Sequence, residues 1–457
     1  MFCKETYIQR RAALKKYLGS GVLLFLGNDE QGLNYEDNTF RYRQDSTFLY
    51  YFGVSAAGLT AIIDIDEDRD IIFGDEMSID FIVWAGKLPS LREKAALAGI
   101  SDTRPAAEVV SYLQQCVRQG RTIHYLPPYR AEHKLKLAEW LGIPTNRQEA
   151  SVEFIKGVVA QRNFKTEEEI AEIEKACDIT ADMHIAAMKA VRPGMYEYEV
   201  MAEVAKVAYA AGADHSFATI ATINGQTLHN HSYSNLVKPG DLFLLDAGAE
   251  LPSGYCGDMS STIPADKQFT PRQRAVYEIQ NAMHLAAVEA LRPGIPYMEV
   301  YDLSAKVLVE GMKNLGLMKG NADDAVREGA HALFYPHGLG HMMGMDVHDM
   351  ENFGEVWVGY GGQPKSTQFG RKSQRLAIPL QPGFVLTVEP GIYFIPDLID
   401  LWKGENKFAD FINYDKVEEY RHFGGIRNEE DYLITSDGAR RLGKRIPLTP
   451  DEVEALR

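Results

Sequence analysis

The sequence predicts an α/β domain followed by an α+β domain built on an internal two-fold repeat. Three observations carry that prediction. Two glycine-flanked apolar strands each hold one acid at the same point, in Pro239-Gly240-Asp241-Leu242-Phe243-Leu244-Leu245-Asp246-Ala247-Gly248 and in Pro382-Gly383-Phe384-Val385-Leu386-Thr387-Val388-Glu389-Pro390-Gly391. Upstream of each, Ala190-Val191-Arg192-Pro193-Gly194 recurs as Ala290-Leu291-Arg292-Pro293-Gly294, and Glu199-Val200 as Glu299-Val300. The first third of the chain, by contrast, alternates short β-branched runs with amphipathic helices, the mark of an α/β layer. Two copies are too few for a solenoid, so the repeat predicts a pseudo-symmetric domain in which Asp246 and Glu389 face one another across an axis. Carboxylates held together without compensation repel and raise each other's pKa. A bound cation is the natural compensation.

Element by element, residues 1–160 read as the first domain. A helix over Glu5–Leu18 leads into strands at Gly21–Leu26, Phe48–Phe52, Leu59–Ile65, Asp70–Phe73, Phe81–Trp84 and Thr122–Leu126, with helices at Ser90–Ala98 and Ala106–Arg118. The second domain, 161–457, opens on Thr166-Glu167-Glu168-Glu169, a capping box that starts a helix reaching about Val191. A helix over Tyr198–Ala211 follows, then strands near Phe217–Ile223 and Leu242–Asp246, two more helices and the second strand set. The turn from Gly248 to Gly257 is too short for a crossover helix and predicts antiparallel pairing. Residues 352–379, rich in Gly, Gln, Lys and Ser, read as an inserted surface loop.

A chain of 457 residues exceeds one ordinary core and suits two domains. A formal charge of −16 argues against nucleic acid, whose binding needs clustered Lys and Arg; it suits simple solubility first and, second to that, a substrate carrying a positive amine. No segment approaches the ~20 apolar residues of a membrane span, and no signal peptide opens the chain. Cys3, Cys116, Cys177 and Cys256 form no C-x-x-C pair, which fits free thiols in a reducing cytoplasm.

The chemistry gathers around the repeat. Asp258 follows Asp246 across a turn on Pro252, Ser253, Gly254 and Gly257, and a hairpin of that length returns it beside Asp246. His337 and His341 lie in His337-Gly338-Leu339-Gly340-His341, where glycines argue against a zinc-binding helix. His348 follows in Asp346-Val347-His348-Asp349. Glu429 and Glu430 follow Gly425-Ile426-Arg427-Asn428, and His229 and His231 flank Asn230. Four carboxylates with one histidine make a hard, oxygen-rich site that favours Mn, Fe or Co over structural zinc.

Taken together, Asp246-Ala247-Gly248, Gly257-Asp258, His337-Gly338-Leu339-Gly340-His341, Val347-His348-Asp349, Glu389-Pro390-Gly391 and Gly425-Ile426-Arg427-Asn428-Glu429 resemble the pita-bread metallopeptidases, above all aminopeptidase P and prolidase. Phe40-Arg41-Tyr42-Arg43-Gln44-Asp45-Ser46, continuing to Phe48 and Tyr50, is similar to the creatinase-like N-terminal domain of aminopeptidase P. The resemblance implies two divalent metal ions, Mn²⁺ first with Co²⁺, Fe²⁺ or Zn²⁺ as alternatives, held by Asp246, Asp258, His341, Glu389 and Glu429. It chooses Glu429 over Glu430 because the family's ligand stands two places after the arginine. It further implies a substrate-binding His229, supporting His337 and His348, a carboxylate- or peptide-holding Arg427, and Glu389 as general base. The implied reaction is release of the N-terminal residue from peptides with proline second, by a soluble homo-oligomer, dimer or tetramer. The alternatives are an Xaa-Pro dipeptidase of prolidase type, a creatinase-like amidinohydrolase and a non-enzymatic pita-bread binding protein; the last two classes lack the metal ligands present here.

Overall fold

A computed structural model describes residues 2–457 and divides the chain into two compact units. The first comprises the chain up to Arg162 together with Asn352–Trp357, and the second Asn163–Glu351 with Val358–Arg457.

In the first unit a five-stranded mixed sheet runs in the order Asp102–Arg104, Arg69–Phe73, Thr60–Asp64, Val22–Leu26, Ile123–Tyr125. The three inner strands pair antiparallel and the two outer ones parallel to their neighbours. Leu24, Ile62, Ile71 and Phe73 of the sheet pack with Val109 and Leu113 of the Glu108–Arg118 helix and with Leu137 of the Ala131–Leu141 helix. Two expected strands are helices instead. Over Ser46–Phe52 the Asp45 carboxylate accepts from Phe48 N–H at 2.8 Å, and Gly53 closes the helix in the left-handed region at φ 61°. A cap at each end outweighs the β-preference of an aromatic run. Ile79–Ala85 is likewise capped by Ser78 and ended by Gly86. Its residues face outward, with Trp84 89% exposed.

The second unit shows the repeat in three dimensions. The helix pair Glu167–Ala190 and Glu197–Ala210 belongs to the first half, and Pro271–Ala290 with Tyr297–Asn314 to the second. At the repeated Pro-Gly turns Gly194 and Gly294 adopt φ of 90° and 86°. Their N–H groups donate to Val237 and Leu380 at 2.9 and 2.8 Å. Each helix pair backs a set of antiparallel strands: Leu242–Ala247 with Met259–Pro264 in the first half, Val385–Val388 with Glu430–Ile434 in the second. The halves join where Glu429 N–H donates to Ser260 O at 3.0 Å and Arg427 N–H to Thr262 Oγ1 at 3.1 Å.

The 352–379 segment is not a surface loop throughout. Leu376 and Gln374 are completely buried and Tyr360 nearly so. Gln374 explains why: its Oε1 accepts from Leu339 N–H at 2.6 Å and its Nε2 donates to Leu376 O at 2.7 Å. A low-periodicity stretch can be core when side-chain amides satisfy the backbone that strands would otherwise pair.

Candidate metal centre and active site

The strand register decides where the carboxylates stand. Asp246 is the penultimate residue of Leu242–Ala247 and sits opposite Ser260; Asp258 immediately precedes Met259–Pro264. The hairpin returns tightly because Gly248 and Gly257 touch. A Cβ on Gly248 would lie 2.0 Å from Gly257 O. In the other half Glu389 immediately follows Val385–Val388, and Glu429 immediately precedes Glu430–Ile434.

His341 arrives on an irregular segment laid along Val385–Val388: Thr387 N–H donates to His341 O at 3.0 Å, and His341 N–H to Thr387 Oγ1 at 3.2 Å. Gly340 permits that approach, since a Cβ there would meet Thr387 O at 2.1 Å. Nδ1 of His341 is tied to Met342 O at 3.0 Å, which leaves Nε2 to face the carboxylates. That nitrogen lies 3.4 Å from Asp258 Oδ2 and 3.7 Å from Glu389 Oε1. Ligand atoms of Asp258, His341 and Glu429 fall within 4.8 Å of one another, and all three residues are buried.

The electrostatics of this cluster suit a cation. Burial, and then the charge of Glu429, push Asp258 well above the usual carboxyl range. Burial, and then Glu389, do the same to Glu429. Burial raises Glu389 to about 7 despite the opposing Arg427. Asp246 Oδ1, Asp258 Oδ1 and Glu429 Oε1 are buried without hydrogen-bond partners. Such oxygens are costly unless an ion completes them. Carboxylate oxygens with one imidazole nitrogen suit a divalent metal ion.

Around the cluster opens a cavity of about 620 Å³, and all nine residues singled out from the sequence line it: His229, Asp246, Asp258, His337, His341, His348, Glu389, Arg427 and Glu429. Arg427 is fully engaged. It donates to Asp246 Oδ2 at 2.7 Å, to Ser260 Oγ at 3.0 Å and to Tyr393 Oη at 2.7 Å. Ser260 Oγ in turn donates to Glu429 Oε2 at 2.8 Å. His337 contacts Gly338 O through Nδ1 and Tyr393 Oη through Nε2, at 2.7 and 2.9 Å. Burial holds its pKa down at about 3, so the ring is neutral. His229, on the exposed side of the cavity wall, is lowered too, by desolvation and then by Arg427. The His348 ring lies 4.3 Å from that of His341, and its Nδ1 is 2.6 Å from Glu351 Oε2. Glu351 is held down at about 2, first by His348, with Arg375 helping against burial.

Glu430 points elsewhere. It accepts from Tyr432 Oη at 2.8 Å, and its other neighbours are His284 and Arg441. His231 lines the cavity as well, whereas Cys256 is a buried free thiol with Sγ directed at the Gly254 and Met345 carbonyls.

Sequence reasoning missed five contributors. Tyr393 joins Arg427 to His337; it stands in a Glu-Pro-Gly-Ile-Tyr run that offered a motif but no stated role. Ser260 couples Arg427 to Glu429. Arg375 and Ser373 line the cavity from within the supposed surface loop. Asp431, completely buried, accepts from Asp258 N–H and from Cys177 Sγ, both at 3.1 Å.

A cluster of buried carboxylates and imidazole built on a two-fold repeat defines a metallopeptidase of the pita-bread type, and the comparisons agree. Residues 171–436 match metallopeptidase family M24, and residues 7–124 match the aminopeptidase P N-terminal domain. The chain belongs to family M24. It is 30% identical to the Xaa-Pro dipeptidase of Rattus norvegicus over 96% of this chain and 88% of that protein. It is also 30% identical to the Xaa-Pro aminopeptidase of Escherichia coli over 99% of this chain and 97% of that one. Among solved structures, Pseudomonas aeruginosa aminopeptidase PepP superposes with a TM-score of 0.82 at 26% identity, covering 100% of this chain and 98% of that chain. Proline aminopeptidase P II from Yersinia pestis does so at 0.79 and 29%, covering 100% and 99%.

Proposed function

We propose that this protein is an Xaa-Pro aminopeptidase that uses two divalent metal ions, Mn²⁺ first among the candidates, to release the residue preceding proline. The carrying observation is the convergence of Asp246, Asp258, His341, Glu389 and Glu429 on one cavity whose remaining wall combines histidines and arginines with apolar residues such as Phe217, Ile220, Leu228 and Val347. The five would hold the metals, and the oxygen-rich donor set favours Mn²⁺ over thiolate-seeking zinc. When bound, such ions supply Lewis acidity and a water of lowered pKa.

The chain's own residues do the rest. Glu389 takes a proton from the attacking water as its oxygen adds to the carbonyl carbon before proline, the general-base role. It then delivers a proton to the proline nitrogen as the C–N bond breaks, because an unprotonated secondary amine leaves poorly. His348 presents Nε2 to the developing oxyanion, where an aimed donor counts most. Arg427 holds Asp246 in place, and His229 contacts the substrate. The surrounding negative charge receives the peptide's free amine. Proline lacks the N–H that other peptidases use and carries a fixed φ near −65°, so a pocket shaped to the ring selects by fit.

A second reading, an Xaa-Pro dipeptidase, draws on Arg375, a guanidinium lining the cavity that would suit the terminal carboxylate of a dipeptide. The decisive experiment compares Xaa-Pro, Xaa-Pro-Yaa and longer peptides with Mn²⁺, beside N-acetylated controls. Turnover of tripeptides and longer chains with loss on acetylation supports the aminopeptidase. Turnover confined to dipeptides supports the second reading, and turnover of none sinks both.

Two coarser expectations complete the proposal. The outward apolar residues of Ile79–Ala85, with Ile79 and Val83 71% and 72% exposed, support a homo-oligomer, dimer or tetramer. The four cysteines are free thiols, which supports the cytoplasm. Among the described residues no helix is long and apolar enough to cross a membrane.

A further inference from the structure

Glu351 stands where His348 and Arg375 meet. Its Oε2 accepts from His348 Nδ1 at 2.6 Å, and its Oε1 accepts from Arg375 Nη1 at 2.5 Å. Both partners line the cavity, so one carboxylate behind the wall controls two side chains within it. The arms have different consequences. The His348 arm fixes the ring with Nδ1 as donor and Nε2 toward the cavity, which serves every substrate alike. The Arg375 arm compensates a positive charge that substrates of different length feel differently. An Xaa-Pro dipeptide carries a carboxylate on its proline, whereas a longer peptide presents a neutral amide there. A less fully compensated guanidinium would favour the dipeptide through charge-assisted hydrogen bonds. One already paired has less to offer.

We propose that Glu351 determines peptide-length preference by compensating Arg375, turning the cavity away from dipeptides and toward longer chains. The inference rests on the Xaa-Pro reading above. It explains how a cavity holding an arginine suited to a dipeptidase can belong to an aminopeptidase. The Glu351–Arg375 pair is partly exposed, with side chains 46% and 29% accessible, so its effect is of modest size and screened by salt.

The test measures kcat/KM for an Xaa-Pro dipeptide and an Xaa-Pro-Yaa tripeptide in wild type, Glu351→Gln, Arg375→Met and the double variant. Glu351→Gln should raise the dipeptide-to-tripeptide ratio about fivefold, while kcat falls for both substrates together through the loosened His348. The rise should shrink at high salt. Arg375→Met alone should move the ratio by less than about twofold, and in the double variant the rise should vanish. An unchanged ratio in Glu351→Gln overturns the proposal, as does a rise that survives in the double variant. A strong loss of dipeptide turnover in Arg375→Met alone overturns it too, and that arm stands even if Glu351→Gln does not fold. If wild type cleaves neither peptide, the Xaa-Pro reading itself has failed, which is a separate outcome.

Discussion

The two halves of the second unit use one plan and end with different chemistry. Each places an acid at the end of one strand and a second acid just before the antiparallel partner: Asp246 and Asp258 in the first half, Glu389 and Glu429 in the second. The first half closes the loop with a tight hairpin, Gly248 to Gly257. The second makes a long excursion between Tyr393 and Gly425 that includes the Pro396–Gly404 and Tyr414–Glu418 helices. The strand-end acids also differ in company. Asp246 is clamped by Arg427 at 2.7 Å. Glu389 faces imidazoles, with His341 Nε2 at 3.7 Å and His337 Nδ1 at 3.9 Å, and burial raises its pKa to about 7. Histidines follow the same divide. The segment before the first strand brings His229 and His231, while that before the second brings His337, His341 and His348, of which His341 reaches the carboxylate cluster. The duplication thus sets where the carboxylates stand. Departures from symmetry set which one is held and which can move a proton.

The largest expected effect tests the symmetric part. Asp258→Asn and Glu429→Gln occupy equivalent positions, and each should cut kcat/KM by about 10⁴-fold or more, with metal content falling in parallel and circular dichroism unchanged. Full metal occupancy with normal turnover in either variant would break the equivalence and the five-ligand assignment with it.

His348 probes the asymmetric part, because it stands beside His341 on the segment that carries three of the cavity's histidines. His348→Ala should lower kcat by ~10²–10³, keep both metals and leave KM and melting temperature nearly unaltered. Loss of metal would make His348 a ligand, and an unchanged kcat would reduce it to a partner of Glu351.

A pH experiment on chelated protein sharpens the contrast further. Asp258, Glu429 and Glu389 all have folded-state pKa values raised by burial, Glu389 from 4.5 to about 7. Groups raised in this way contribute stability that is fully present below their unfolded pKa and is lost as pH rises through the folded value. Without metal, Glu389 should therefore destabilise the fold progressively between about pH 4.5 and pH 7, with Asp258 and Glu429 acting in the same direction. Metal competes with protons for the same oxygens. The increase in melting temperature on adding Mn²⁺ should accordingly be small at about pH 5 and larger at about pH 8. Thermal scans giving the same increment at both would show that the ions bind elsewhere.

The smallest effect concerns register. Glu430, bonded to Tyr432 and turned from the cavity, should tolerate Glu430→Gln with metal content intact and a stability loss of about 1–2 kcal/mol. Should this variant lose metal while Glu429→Gln keeps it, the pairing of the second half is shifted by one residue.

These residues also show how far the chain could be read before it was seen folded. Pro193-Gly194 and Pro293-Gly294, the strands ending at Asp246 and Glu389, and the short Gly248–Gly257 return were legible because repetition, strand alternation and turn chemistry are local signals. The aromatic run at Ser46–Phe52 predicts a strand by composition, yet its capping signals are just as local. Asp45 and Gly53 outweigh that composition.

What the sequence alone determined was therefore the two-domain order, the doubled helix–turn–helix–strand plan and the set of acids and histidines that end on one cavity. The tertiary structure decided their partners. Arg427 clamps Asp246 rather than Glu389, Tyr393 ties that arginine to His337, Asp431 braces Asp258 from behind, and Gln374 draws an irregular segment into the core so that Arg375 reaches the cavity. Each of these contacts joins residues far apart in the chain, across separate strands or loops. Periodicity and spacing report which face a residue occupies. They carry no record of which distant group will meet it there, and that meeting is settled only when burial forces every polar atom to find a partner.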